Sequence, residues 1–189
     1  MPKRYFDLAD DVYVPRRWDL GHPMDEQGQE LEDPWQFTEG TPVHFKGRIR
    51  IPVRGRGKKL DYSHASFSTP IIHERLVPVF TELAPNDVQF IPVEMEKQSE
   101  QYFILVATRL IQCIDDARSA EARRWKPEDG RPEKVGQYRA VYRMRIDPAK
   151  VGDAQVFRTW GWQIALIVSE DIRDALVRLG ATGTKFTEV

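Results

Sequence analysis

The sequence predicts an α+β fold with a mainly antiparallel sheet. Strand-like segments clearly outnumber helical ones, and only two stretches repeat apolar residues at helical spacing, near Ile72 to Leu83 and Ser169 to Leu179. Strands and helices do not alternate in a repeating β-α-β order, which argues against a doubly wound parallel sheet. With 189 residues, 41% of them hydrophobic, the chain suits a single domain over 1–189, with residues 1–40 packed on it as an acidic segment containing aromatics.

The first forty residues scatter Tyr5, Phe6, Tyr13, Trp18, Trp35 and Phe37 among acids, prolines and glycines. No period persists, so short strands and loops draped over the domain are expected there, and the aromatics argue against disorder. Val43 to Val53 alternates. Phe45, Ile49 and Ile51 face one side and His44, Lys46, Arg48 and Arg50 the other, as in a half-buried strand. Arg54-Gly55-Arg56-Gly57-Lys58-Lys59 reads as a turn back towards Leu60 and Tyr62, closing a basic hairpin. The Ile72 to Leu83 helix contains Pro78, which predicts a kink or an early break.

Val88 to Glu94 and Gln101 to Arg109 read as a hairpin around Gln98-Ser99-Glu100. Asp115 to Gly136 is charged and turn-rich, with a short helix expected around Arg118 to Arg124. Tyr138 to Ile146 alternates again, and Gln163 to Val168 reads as a buried strand. Ser169 then caps a helix with Glu170 and Asp171 in its first turn, Gly180 stops it, and Thr184 to Val189 forms a last strand.

A shift of 96 positions places Ile71 on Ile167, Glu74 on Glu170, Leu76 on Ile172, Phe80 on Leu176, Leu83 on Leu179 and Phe90 on Phe186. The matches suggest two helix–turn–strand units flanking a shared sheet. The competing explanation is that any amphipathic helix followed by a strand produces such matches by chance.

No catalytic constellation is visible. His22, His44, His64 and His73 show no metal-ligand spacing, and the single cysteine, Cys113, follows an apolar strand where a buried, inert thiol is expected. The serines sit in no nucleophile elbow, and Arg54-Gly55-Arg56-Gly57 opens no helix, so no phosphate loop is present. No metal or cofactor is expected. No apolar run suits a membrane span or signal core, so a soluble, cytoplasmic protein is expected.

Charge offers two surfaces instead. Before Thr41 ten acids face four bases, whereas from Thr41 to Asp61 seven bases face one acid. Asp25, Glu26, Glu30, Glu32 and Asp33, followed by Trp35 and Phe37, present carboxylates beside aromatics, as a protein would to a basic partner. Lys46, Arg48, Arg50, Arg54 and Arg56 form the alternative basic surface, suited to phosphates but short of interleaved aromatics. Mutual neutralisation of the two segments is the plainer alternative.

Several runs then follow one another in the second half of the chain. They are Arg124-Trp125-Lys126-Pro127-Glu128, Arg145-Ile146-Asp147-Pro148-Ala149-Lys150-Val151-Gly152, and Phe157-Arg158-Thr159-Trp160-Gly161-Trp162. Ile167-Val168-Ser169-Glu170-Asp171-Ile172 and Gly180-Ala181-Thr182-Gly183-Thr184-Lys185-Phe186 complete the series. With Val12-Tyr13-Val14-Pro15-Arg16-Arg17-Trp18 near the start, their order resembles the bacterial immunity proteins of polymorphic toxin systems, immunity family eleven. The resemblance implies a non-enzymatic protein, encoded beside a toxin (often a nuclease), that binds and blocks it. It carries over no catalytic or contact residues. It implies a cognate protein toxin as partner and leaves the oligomeric state open; with no apolar span no membrane partner is expected, and nucleic acid is the less favoured partner. If the toxin is a nuclease, the acidic segment is expected to occupy its basic cleft as a mimic of nucleic acid, with Trp35 and Phe37 as anchors. Trp160 and Trp162 are expected to fill core or interface. The alternatives are a nucleic-acid-binding protein using 46–59, and an enzyme with a dispersed site drawn from residues such as His64, His73 and Asp115.

Overall fold

An apolar run that does not alternate marks a strand covered on both faces. Tyr102 to Ala107 is such a run: Tyr102, Ile104 and Val106 enter one core, while Phe103, Leu105 and Ala107 enter another. The structure, a computed structural model, describes residues 3–189. Its strands are β1 (Tyr5–Asp10), β2 (Asp19–Leu20), β3 (Ile49–Ile51), β4 (Val53–Arg54), β5 (Tyr62–Ala65), β6 (Thr69–His73), β7 (Val88–Met95) and β8 (Tyr102–Ala107). They continue as β9 (Leu110–Ile111), β10 (Glu121–Arg124), β11 (Tyr138–Tyr142), β12 (Val156–Thr159), β13 (Trp162–Ser169) and β14 (Thr184–Glu188). Two helices, α1 (Val77–Leu83) and α2 (Glu170–Arg178), complete the α+β architecture.

Two five-stranded sheets, ordered β3-β7-β8-β6-β5 and β14-β1-β13-β12-β9, carry the fold. Ribbons β10-β11 and β2-β4 stand apart from them. A central core between the sheets takes Phe6, Leu8, Tyr62, Ile72, Leu105, Val156, Leu166 and Val168 from both, and Leu76, Phe80, Ile172 and Leu176 from the helical segments. The outer face of the first sheet is covered by the N-terminal segment through Trp18, Leu20, Leu31 and Phe37. The outer face of the second is covered by Cys113, Ile146, Val151 and Ala154. No helix among the described residues is long and apolar enough to cross a membrane.

The 96-residue correspondence is structural, but each unit owns a sheet rather than flanking a shared one. In the first unit β6 leads through Glu74–Leu76 and α1 to β7, and in the second β13 leads through α2 to β14. The registers agree as well. Ile72 pairs with Tyr62 and Phe103, and its counterpart Val168 pairs with Val156 and Phe6. Phe90 pairs with Leu105 where Phe186 pairs with Leu8. Tyr102-Phe103 in β8 therefore corresponds to Tyr5-Phe6 in β1, so the second unit takes its middle strand from the N-terminus.

Each helix exit crosses to the other unit. The loop after α2 places the Thr182 carbonyl 3.0 Å from the Tyr62 N–H, and the loop after α1 places Asp87 Oδ2 2.6 Å from Gln155 N and 3.3 Å from Val156 N. Asp61 reinforces the first crossing. Its carboxylate accepts from Arg75 Nε at 2.6 Å and Nη2 at 2.7 Å, and from Thr182 N at 2.8 Å and Oγ1 at 2.7 Å. Burial alone would raise its pKa, but the Arg75 and Thr182 bonds outweigh burial and hold it at about 2. A folded value below the ordinary 3.8 stabilises the fold above that pH, and the contribution is lost as pH falls through about 2. Asp61→Asn is expected to lower the unfolding free energy at pH 7 by about 2 kcal/mol. Urea titrations from pH 7 to 2 should show the variant lacking the corresponding part of the wild-type acid limb.

Several local expectations are corrected. Ile72 lies in β6 rather than in a helix, and Pro78 falls in the first turn of α1, where a missing N–H breaks no helical bond. Arg118 to Arg124 is not helical: a turn closes on Asp115, and Glu121–Arg124 then pairs with β11 as a strand. Val43 to Val53 is regular only at β3 and β4, and β4 pairs with β2 rather than folding back on β5, so there is no basic hairpin. Tyr5 to Asp10 is not draped over the domain but forms the strand between β14 and β13.

Candidate partner-binding surface

The acidic segment is a shaped loop. Asp25 Oδ1 accepts from Gln27 N at 2.9 Å and Gln29 N at 2.8 Å, and Asp33 caps the turn Pro34–Thr38 by accepting from Trp35 N at 3.1 Å. Two of the five carboxylates therefore hold the loop, while Glu26, Glu30 and Glu32 are exposed, with Glu30 3.7 Å from His22 Nδ1. Trp35 is 48% exposed and meets Phe67 edge-on at 5.0 Å. Phe37 differs: it is fully buried among Trp18, Leu31, Val43 and Ile104, so it is a core residue and not a surface anchor.

The basic surface stands against this loop. Lys46 and Arg48 line one concavity of about 400 Å³ with Asp25, Glu26, Glu30 and Glu32, bringing opposite charges together without a direct ion pair among the described residues. Arg48 and Arg50 instead share Glu94, each at 3.2 Å. Arg54 lies on β4, opposite Asp19, and Arg56 sits exposed in the turn beyond it.

The residues offered for a dispersed catalytic site are not brought together. His64 in β5 is packed between Asp10 at 3.3 Å and the Tyr62 hydroxyl at 3.1 Å, and burial pushes its imidazole well below the usual histidine value despite Asp10. His73 Nδ1 accepts from Arg75 N at 3.1 Å, and its ring meets Tyr102. Asp115 Oδ1 accepts from Ala117 N and Arg118 N, both at 3.1 Å, in a turn beyond β9. Cys113 is fully buried, and burial pushes its thiol up to about 12, far from a thiolate nucleophile at neutral pH. Burial also raises Asp7 to about 6 against the pull of Arg158, and lowers the buried Arg158 to about 10. Arg158 Nη1 donates to Gln163 O at 3.2 Å and Ile164 O at 3.1 Å. No group of three or more potential metal ligands occurs among the described residues.

The structure also assembles a cleft that sequence reasoning did not anticipate. Trp35 from the N-terminal segment, Trp125 from the turn after β10 and Trp162 from β13 line one concavity of about 530 Å³. Glu39, Lys134, Tyr138 and Ile164 join them. Gly161, at φ +79, makes the tight turn between β12 and β13, and its carbonyl accepts from Tyr138 N at 3.0 Å. A Cβ at Gly161 would lie 3.1 Å from Tyr138 Cδ2, so the turn also needs the space. Trp125 is held by backbone bonds to Gly136 and Gln137 and flanked by Lys134 at 5.5 Å and Arg139 at 5.2 Å. Trp160 and Trp162 are both half-buried. The Trp-Gly-Trp run was the available signal, but nothing local in it points to Trp35.

A comparison with curated proteins finds no match. The comparison with protein families finds one spanning residues 4–189, described as an immunity protein family. That match covers both sheets, the acidic loop and the aromatic cleft. The chain belongs to the immunity protein family Imm11.

Proposed function

We propose that this protein neutralises a cognate nuclease toxin by stoichiometric binding in the cytoplasm of the cell that makes both, without turnover of its own. Membership of an immunity family over nearly the whole chain carries the reading, since such a protein requires a toxin partner. The local structural bonds made by His73 and Asp115, and the burial of His64, support binding over catalysis. On this reading the toxin-facing surface includes Asp25, Glu26, Glu30, Glu32, Asp33 and Trp35. A nuclease holds a phosphate backbone in a basic cleft, and exposed carboxylates offer it the same sign of charge.

The test uses the toxin encoded beside this chain's gene, released from the co-expressed complex by denaturant and refolded. Wild-type protein is expected to abolish its nuclease activity at one equivalent. Reversing Glu26, Glu30 and Glu32 to lysine is expected to slow association at least tenfold at low salt and flatten its salt dependence. Unchanged association and affinity would remove this loop from the interface. Failure of the wild-type protein to inhibit would overturn the function.

A further inference from the structure

The cleft formed by Trp35, Trp125 and Trp162 differs in its charges from two of the other concavities. Around Arg50 and Glu94, and around Asp116 and Arg124, opposite charges lining the same hollow already pair with each other. Here Glu39 lines the cleft and Glu32 and Asp33 lead directly into Trp35, and none of the three has an ion-pair partner among the described residues. The indoles divide in the same way. Trp125 already carries Lys134 and Arg139, whereas no cation among the described residues lies over Trp35 or Trp162. Ile164, 49% exposed on β13, supplies apolar surface beside them.

Exposed apolar surface gathered into one patch and rimmed by polar residues is the kind of surface that marks a protein contact. An indole face is the strongest aromatic acceptor for a cation, and arginine stacks there more often than lysine. Glu39, which lines the cleft without an ion-pair partner among the described residues, supplies a counter-charge to the same guanidinium.

We propose that this cleft is the central contact for the toxin, and that it receives an arginine-bearing loop of that protein. The guanidinium lies against Trp35 and Trp162 with Glu39 as its counter-charge, and the aliphatic stem packs on Ile164. This inference rests on the reading of the protein as a toxin-binding immunity protein. It adds the cleft and the chemistry of the segment that enters it. The acidic loop then speeds encounter, while the indoles determine how slowly the complex dissociates.

Binding kinetics of the refolded neighbouring toxin test it with four proteins: wild type, Trp35→Ala, Ile164→Arg and Glu39→Lys. Trp35 and Ile164 are about half exposed, and unfolding midpoints within a few degrees of wild type confirm that each variant is folded. Trp35→Ala is expected to weaken affinity at least thirtyfold, mainly through faster dissociation, and Ile164→Arg at least tenfold. Glu39→Lys is expected to weaken affinity at least tenfold and to reduce its salt dependence. Affinities within threefold of wild type for Trp35→Ala and Ile164→Arg would overturn the cleft, while inhibition by the wild-type protein would leave the function standing. Losses in those two variants with no response to Glu39→Lys would overturn the cationic occupant. No complex with the wild-type protein would overturn both readings.

Discussion

Gly183→Ala is expected to destabilise the fold by about 4 kcal/mol or more, enough to leave much of the protein unfolded at 37 °C. Gly183 has φ +87, and a Cβ there would sit 2.1 Å from the Tyr62 carbonyl oxygen and 3.0 Å from Leu60 Cβ. The first obstacle is backbone, so relief requires the loop to lift off β5. Lifting it strains the bonds from Tyr62 N to Thr182 O and from Thr182 N to Asp61, and the bond from Asp11 N to the Gly183 carbonyl. Gly180 is the control: its φ is +66, but nothing lies within 4 Å of its Cβ position. Gly180→Ala carries conformational strain alone and is expected to cost about 1–2 kcal/mol. Urea unfolding of the two variants separates them, and equal midpoints would refute close approach as the reason for glycine at 183.

Gly183 also shows how far the repeat could be followed in the sequence. Ile71 to Phe90 and Ile167 to Phe186 matched because strand, helix and strand stay in phase within each copy. The rest of each unit could not be matched in that way. The middle strand of the second unit is β1, whose partners in β13 and β14 lie more than 150 residues away. It also lacks a clean period. Tyr5 faces one core and Phe6 and Leu8 the central one, while Asp7 and Asp10 interrupt the run. Its likeness to Tyr102-Phe103 becomes visible only once the pairing registers are known.

Elsewhere long-range pairing decided what local propensity could not. Arg118 to Arg124 has the charge density of a solvated helix, yet β11 offers its backbone partners and Arg124 bonds Asp116, Gly136 and Tyr138. Among the candidate site residues, the turn chemistry of Asp25 and Asp33 is written locally. The convergence of Trp35 with Trp125 and Trp162 is not, because the three come from the N-terminal segment, the turn after β10 and β13.

Trp35 and Phe37, two residues apart, looked alike as anchors in the sequence and are expected to fail in opposite assays. Phe37→Ala is expected to lower the unfolding free energy by about 3–5 kcal/mol, as truncation of a buried phenylalanine does when its neighbours cannot collapse into the space. Its ring is fully buried in the core that also holds Trp18, Leu31, Val43 and Ile104. Trp18, in the same core, is fixed in place: its Nε1 donates to Ser63 Oγ at 2.7 Å and its ring is tilted against Tyr102 at 5.3 Å. Trp35→Ala removes an edge-on contact with Phe67 from a half-exposed ring, which is expected to cost about 1 kcal/mol. The backbone bond from Trp35 N to Asp33 survives that change, so the capped turn stays formed. Chemical unfolding of both variants, set beside toxin affinity at a temperature where each is folded, resolves the pair. Phe37→Ala should lose stability and keep affinity, and Trp35→Ala should do the reverse. Comparable loss of stability in both would place Trp35 in the core with Phe37, and comparable loss of affinity would return Phe37 to the interface.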